Sequence, residues 1–95
     1  MILSKNLKRM ANYNIFFTKS AEKSLKKLPK KDLINVIKAV EDLANNPYPN
    51  GCRKLAGEYS TFRIRVGYYR IIYEIEDKLL KIIVLKLGHR KDIYR

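Results

Sequence analysis

The sequence predicts an α+β fold with the element order β-α-α-β-β-β, in which a helical hairpin covers one face of an antiparallel sheet. Two observations support this class. Apolar residues recur with a helical period of about 3.6 between residues 19 and 45, and they alternate with a period of two after residue 60. The chain has 95 residues, of which 46% are hydrophobic. This length and composition predict one domain with a single packed core.

The first half of the chain predicts one strand and two helices. Tyr13–Phe17 is a short β-prone run and is the predicted first strand. Thr18 is the expected N-cap of a helix over Lys19–Leu28, which Pro29 ends. This helix has an apolar stripe made of Ala21, Leu25 and Leu28. A second helix is predicted over Lys31–Asn45 from the spacing of Leu33, Ile34, Ile37, Val40, Leu43 and Ala44.

The second half predicts a loop followed by a three-stranded meander. Tyr48–Gly57 is rich in Pro, Gly and Asn, which is typical of irregular structure. In the next strand, Phe62–Val66, apolar residues alternate with basic ones. Gly67 and Tyr68 then form a turn into a strand over Tyr69–Glu76. After a turn at Asp77 and Lys78, the run Leu80–Leu87 is apolar on both faces, which indicates a central strand.

Composition limits the setting and the partners. The net charge of +12 comes from 21 Lys and Arg against 9 Asp and Glu. Self-repulsion of this size favours a partner that offsets it, such as a phosphate backbone or an acidic protein. The single cysteine, Cys52, excludes an intrachain disulfide and suits a reducing cytoplasm. No apolar run approaches the roughly 18 residues that span a membrane, so no membrane partner is expected.

The beginning of the chain is basic and is expected to lie outside the folded domain. Met1–Arg9 lacks the apolar segment of a secretory signal, and we expect it to be a flexible extension. Met10 offers an alternative start. The predicted domain therefore covers residues 10–95.

Arginines concentrate on two neighbouring predicted strands. Residues two apart in a strand share a face, so Arg63 and Arg65 are expected to point the same way, and Arg70 lies just across the Gly67 turn. The planar guanidinium group suits bidentate phosphate binding. A solvated outer sheet face would show the same pattern, so both interpretations stay open from these residues alone.

A second group of polar side chains directly follows the last predicted strand. The tail Gly88–Arg95 contains His89, the single histidine of the chain, which is either a surface side chain or an acid/base group. Tyr94 is either an interface aromatic or a proton-transfer group whose phenol is activated by nearby positive charge. One His and one Cys do not supply a metal site, and the scattered glycines form no phosphate-binding loop. No metal or cofactor is therefore expected.

These segments together resemble a known family. The segments are K-S-L-K-K-L-P-K at Lys23–Lys30, K-L-A-G at Lys54–Gly57, F-R-I-R-V-G-Y-Y-R-I-I-Y-E-I at Phe62–Ile75 and G-H-R-K-D-I-Y at Gly88–Tyr94. They are similar to the RelE branch of the RelE/ParE toxin superfamily, in the same order and over nearly all of Tyr13–Tyr94. The strand pair followed by G-H-R-x-x-x-Y is the specific part of this resemblance.

The resemblance implies a microbial-RNase-like fold and a toxin that cleaves mRNA in the ribosomal A site without a metal. The ribose 2′-hydroxyl attacks the adjacent phosphate, which leaves a 2′,3′-cyclic phosphate and a 5′-hydroxyl. The toxin would be silenced by an acidic RelB-like antitoxin. Carried over by position, the catalytic set is Arg63, Arg65, Arg70, Arg90 and Tyr94, with His89 as an alternative acid or base. Further RNA contacts are expected from Arg53, Lys54, Lys91 and Arg95.

This chain departs from the best-known member of the branch at three points. It has arginine at both first-strand positions, Arg63 and Arg65, where that member has lysine. It has fewer residues between Arg90 and Tyr94, and it has His89 in place of a lysine. Two alternatives therefore remain. One is a ParE-like toxin that poisons DNA gyrase, and the other is a basic RNA-binding module without enzymatic activity.

Overall fold

The computed structural model describes residues 12–55 and 60–91, and it has the predicted α+β architecture. Two helices lie on one face of a five-stranded sheet. No helix within these two ranges is long and apolar enough to cross a membrane. The predicted extension Met1–Arg9 lies outside the described residues. In chain order, the elements are β1 Asn14–Phe17, α1 Lys19–Lys27, α2 Lys30–Asn45, β2 Arg53–Lys54, β3 Thr61–Val66, β4 Tyr69–Glu76 and β5 Lys81–His89.

The sheet is mixed, whereas the sequence predicted an antiparallel one. Its strand order is β1-β5-β4-β3-β2, and the predicted antiparallel meander of β3, β4 and β5 is confirmed. The first strand β1 instead pairs in parallel with β5. Parallel neighbours need a long connection, and the helices and the meander supply it. The predicted loop Tyr48–Gly57 contains one further short strand, β2, which pairs with β3.

A capping residue and a proline define the boundaries of the two helices. The hydroxyl of Thr18 accepts a hydrogen bond from the backbone N–H of Ala21 at 3.1 Å, which caps α1 as predicted. The same hydroxyl donates to the carbonyl of Leu85 in β5 at 2.8 Å. The cap therefore also attaches the helix to the central part of the sheet. Leu28 ends α1, and Pro29 directly precedes α2.

The core lies between the helices and the sheet. From α2 it takes Val36, Val40 and Leu43, which are spaced along one helical face. Ile34 was part of the predicted apolar pattern, but its side chain is 58% exposed, because it points away from the face that carries Val36. The buried core residues of the other elements are Ala21, Ile64, Ile71, Tyr73, Ile75, Ile82, Val84 and Leu87.

The turn between β4 and β5 is a 3₁₀ helix over Asp77–Leu79, and its carboxylate joins three parts of the chain. Tyr13 donates to Asp77 Oδ1 at 2.6 Å, and Tyr48 donates to Oδ2 at 3.1 Å. The hydrogen bond to the carboxylate raises the pKa of Tyr13 to about 12. Both phenols therefore remain protonated donors that hold the segment before β1 and the loop after α2 against this turn.

One buried hydrogen bond anchors the loop after α2. The hydroxyl of Tyr73 donates to the carbonyl of Pro47 at 2.8 Å, and burial raises the pKa of this phenol well above its usual value. We expect Tyr73→Phe to destabilise the protein by about 1–3 kcal/mol, because it leaves a buried carbonyl without its donor. Urea denaturation measures this loss. Tyr48→Phe is the control and should cost less, because its phenol is partly exposed and water can replace it. If Tyr73→Phe lowers the free energy of unfolding no more than Tyr48→Phe does, water reaches the Pro47 carbonyl in the variant.

Candidate functional site

The register of three strands brings four arginines to one face of the sheet. Arg65 of β3 lies directly opposite Arg70 of β4, and Arg63 lies opposite Arg53 of β2. Cross-strand partners and residues two apart point to the same side, so all four share the face opposite the helices. We call this surface the arginine face. The predicted grouping of Arg63, Arg65 and Arg70 is thus present, and Arg53 joins it.

The arginine face brings several like charges close together. Like charges directly opposite each other destabilise a strand pair, and here two such pairs adjoin. The Nε atom of Arg63 is buried, so part of this charge is held close to the sheet. Charges fixed in this way contribute a strong local field where an anion would bind. The face is therefore suited to a ligand with several negative groups.

A cleft at the sheet edge continues the arginine face. It has a volume of about 390 Å³ and lies between α2, the loop after α2 and the exposed edge of β3. Arg53 and Arg65 line it together with Asp42 of α2 and the segment Pro49–Gly51. The two strand arginines thus also share a concave surface.

Arg90 lies at the same end of the sheet as Arg65 and Arg70. Its backbone N–H donates to the carbonyl of Tyr68 at 2.8 Å, which continues the pairing one residue beyond β5. Its guanidinium lies over the ring of Tyr68, 5.7 Å from the centroid, in a cation–π contact. Both contacts hold Arg90 against Tyr68, which lies in the turn between β3 and β4.

His89 lies on the helix side of the sheet, and its ring is held by its neighbours. It pairs with Tyr69, and Arg70 pairs with Gly88, so His89 and Arg70 point to opposite faces. Its Nδ1 accepts a hydrogen bond from the backbone N–H of Lys91 at 3.2 Å. The proton of the neutral ring is then on Nε2, which cannot act as a base in that form. This geometry does not bring His89 to the arginine face.

The remaining predicted residues divide between the two faces and the undescribed end of the chain. Lys54 pairs with Phe62, which places it on the face opposite Arg53. Lys91 is exposed just beyond β5. Tyr94 and Arg95 lie outside the described residues. In residues 12–55 and 60–91, no group of three His, Cys, Asp or Glu side chains is close enough to hold a metal ion.

Two residues near the predicted site were not among the sequence-predicted ones. Tyr68, in the turn between β3 and β4, is 67% exposed and contacts both His89 and Arg90. Asp32 of α2 accepts a hydrogen bond from Tyr69. The sequence did contain a signal for Tyr68, because it lies in the predicted turn, two residues before Arg70. The position of Asp32 had no such signal, because its partner is 37 residues away.

The fold and the arginine face define a small α+β domain with a polycationic sheet surface. Residues 15–94 match the family described as ParE toxin of type II toxin–antitoxin system, parDE. Toxin RelG of Mycobacterium tuberculosis is 40% identical over 87 residues, which are 87% of this chain and 97% of that protein. The chain therefore belongs to the RelE/ParE superfamily of toxins from type II toxin–antitoxin systems, which confirms the resemblance found in the sequence.

Solved structures show the same architecture. A chain of the archaeal RelE–RelB complex from Pyrococcus horikoshii is 30% identical, with a TM-score of 0.76 over 85% of this chain and 98% of that chain. A chain of the intact Escherichia coli RelBE toxin–antitoxin complex aligns with a TM-score of 0.72 over 81% of this chain and 95% of that chain. Its identity is 23%, so this second likeness concerns the fold.

The arginine face predicts how binding to a polyanion depends on salt. Arg65→Ala should weaken binding of a single-stranded oligonucleotide, and it should reduce the slope of log K against log salt by about 0.7, because one phosphate contact is lost. Fluorescence anisotropy over a salt series measures both quantities. Lys38→Ala removes the same charge from an exposed position on α2 and is the control. If both variants change the slope equally, net charge determines binding and the arginine face has no special role.

Proposed function

We propose that this toxin is a ribosome-dependent endoribonuclease, an mRNA interferase that cuts mRNA in the A site and thereby inhibits translation. The observation that carries the proposal is the joint placement of Arg63, Arg65 and Arg70 on one sheet face. These are the positions to which the RelE resemblance assigns catalysis. The site of action is the cytoplasm, where translating ribosomes are found.

The proposed reaction breaks one phosphodiester bond and uses the substrate's own nucleophile. The ribose 2′-oxygen attacks the adjacent phosphorus, and the bond from phosphorus to the 5′-oxygen of the next nucleotide breaks. The products are a 2′,3′-cyclic phosphate and a 5′-hydroxyl. The transition state carries additional negative charge on the phosphoryl oxygens. Fixed guanidinium groups stabilise that charge more than they stabilise the ground state, which is the role we assign to Arg63, Arg65, Arg70 and Arg90.

Two proton transfers complete the reaction, and Tyr94 is the group we assign to them. The 2′-hydroxyl must lose a proton, and the leaving 5′-oxygen must gain one. The RelE resemblance places a tyrosine at this position, and positive charge beside it would favour a reactive phenolate. The orientation of His89 toward the helix side, with Nδ1 already bonded to Lys91, supports Tyr94 over His89.

The ribosome supplies what this site lacks. Arginine side chains stay charged and do not act as bases, so few acid/base groups are available. Correct orientation of the 2′-oxygen, phosphorus and leaving oxygen can contribute several kcal/mol of rate acceleration. We assign this orientation to the A site. Contacts from Arg53, Lys54, Lys91 and Arg95 would hold the mRNA and ribosomal RNA backbone through phosphates.

The proposed protein partner is an acidic antitoxin of the RelB type. Related toxins are found in RelE–RelB complexes, as the Pyrococcus horikoshii structure illustrates. The net charge of +12 and the arginine face favour a partner with complementary acidic residues. Such a partner would inhibit the toxin by covering the arginine face.

Ribosome dependence is the direct test of this proposal. Purified toxin should cut mRNA at discrete sites in programmed ribosomes and leave the same naked mRNA largely intact, because the ribosome orients the substrate. Primer extension reveals the cuts. Addition of the acidic protein from an adjacent gene should abolish them. An adjacent protein that binds without stopping cleavage would contradict the covering mechanism.

A different outcome would favour the second candidate function. The matching family description refers to ParE toxins, and the sequence left a gyrase poison open. If the toxin spares mRNA on the ribosome but blocks DNA supercoiling by gyrase, the nuclease proposal is wrong. If it binds RNA and affects neither reaction, the protein is a binding module.

Two variants separate the proposed proton-transfer group from its alternative. Tyr94→Phe removes one oxygen and no charge, so the affinity for the ribosome should stay nearly unchanged. The single-turnover cleavage rate should fall by a factor of about 10²–10⁴. His89→Gln should retain cleavage, because the His89 ring lies on the other side of the sheet. Rapid-quench cleavage on programmed ribosomes measures both rates. If Tyr94→Phe cleaves at the parental rate and His89→Gln is inactive, the proton transfer is assigned to His89. Full activity in both would assign it to the basic residues.

A further inference from the structure

A second cleft lies on the helix side of the turn between β3 and β4. It has a volume of about 270 Å³. Its walls include the rings of Tyr68, Tyr69 and His89 and the polar side chains of Asp32 and Asn35 on α2. None of these five residues belongs to the arginine face. The cleft therefore combines flat aromatic surfaces with groups that form hydrogen bonds.

The aromatic wall of this cleft is organised around His89. The rings of Tyr68 and His89 are nearly parallel, with an interplanar angle of 13° and centroids 6.1 Å apart. Tyr69 meets His89 edge-on at 76° and 5.9 Å. The backbone N–H of Lys91 holds the imidazole at Nδ1. Tyr68 nevertheless stays 67% exposed, so a further planar group can contact the part of the ring that His89 and Arg90 leave open.

The polar end of the cleft presents a hydrogen-bond acceptor. The hydroxyl of Tyr69 donates to Asp32 Oδ2 at 2.9 Å, and this bond raises the pKa of the phenol above its usual value. A carboxylate accepts at two oxygens, so Asp32 retains capacity for an N–H donor from a ligand. Asn35 lies three residues later on the same side of α2 and offers an amide that both donates and accepts.

The cleft adjoins the arginine face at the end of the β3–β4 hairpin. Tyr69 and Arg70 are consecutive and point to opposite sides of the sheet. The guanidinium of Arg90 lies over Tyr68, 5.7 Å from the ring centroid. A phosphate bound at Arg90 would thus place the attached nucleotide beside Tyr68. Phosphate-binding cations next to exposed aromatic rings are how proteins bind single-stranded nucleic acid.

We propose that this cleft binds one unpaired nucleobase of the RNA, which stacks on Tyr68 and donates an exocyclic amino proton to Asp32. The inference rests on the proposed function, to which it adds a site for base preference. Adenine, cytosine and guanine carry amino donors, whereas uracil has a single N–H donor, at N3, flanked by two carbonyl oxygens. A carboxylate repels those oxygens. The toxin therefore prefers an amino-bearing base at one position near the cut.

The primary experiment measures base preference on programmed ribosomes. A set of messages differing at single A-site positions is cleaved by the parent, by Asp32→Asn and by Glu41→Gln, and primer extension gives the rates. Asparagine can still accept from Tyr69, but it presents an amide donor where the carboxylate accepted. Glu41→Gln makes the same charge change at an exposed position of α2.

The expected result is a shift in preference specific to Asp32→Asn. The parent and Glu41→Gln should cut at amino-bearing bases on the order of tenfold faster than at uracil at one position, because one hydrogen bond to a charged group differs. In Asp32→Asn this ratio should fall to about one or invert. An unchanged ratio in a variant that still cleaves would overturn the inference.

A binding measurement keeps the inference testable if the proposed function fails. Fluorescence anisotropy of short adenine-rich and uracil-rich RNAs compares the parent with Asp32→Asn and Tyr68→Ala, after thermal unfolding has shown that both variants are folded. The parent should bind the adenine-rich RNA more tightly, and both variants should lose that preference. If the parent binds both RNAs equally, the cleft does not recognise bases, whether or not the toxin is a nuclease.

Discussion

The pairing register between β3 and β4 is the constraint on which the arginine face depends. The two-residue turn at Gly67 and Tyr68 sets it, and Gly67 has a φ of +61°, which a glycine adopts without steric cost. From this turn outward, Val66 pairs with Tyr69 and Arg65 with Arg70. A shift by one residue would turn the arginines into the core and the apolar residues into solvent. A shift in register would therefore disrupt the core and the arginine face at the same time.

The core and the arginine face lie on opposite sides of the same strands. Burial of Ile71, Tyr73 and Ile75 on β4 holds the strand in register, although Arg70 lies opposite the like charge of Arg65. The buried apolar residues of β4 thus lie on the helix side, and Arg70 lies on the other side. A polyanion or acidic protein that binds only the folded arginine face would stabilise the fold by mass action.

The alternation of side chains also separates two kinds of polar chemistry. Arg70 and its neighbour Tyr69 contact different surroundings: one lies on the arginine face, and the other donates to Asp32 beneath the sheet. His89 follows Tyr69 to the helix side, where aromatic packing and the Lys91 N–H hold its ring. Tyr69 and His89 are therefore next to arginines in the sequence, but their side chains lie on the opposite face of the sheet.

Much of the fold was determined by local patterns that the sequence displays directly. The helical period, the Thr18 cap and the alternation in β3 predicted the α+β class, and the arginine spacing predicted that Arg63, Arg65 and Arg70 lie together. These features depend on contacts between residues close in sequence or joined by one short turn.

The tertiary structure decided the features that depend on distant pairing. It placed β1 parallel to β5, made Arg53 part of a strand opposite Arg63, and set Asp32 beside Tyr69. It also assigned His89 to the helix side, because the end of β5 pairs with the start of β4. No local periodicity encodes such contacts, since each one depends on which strand or helix packs beside another.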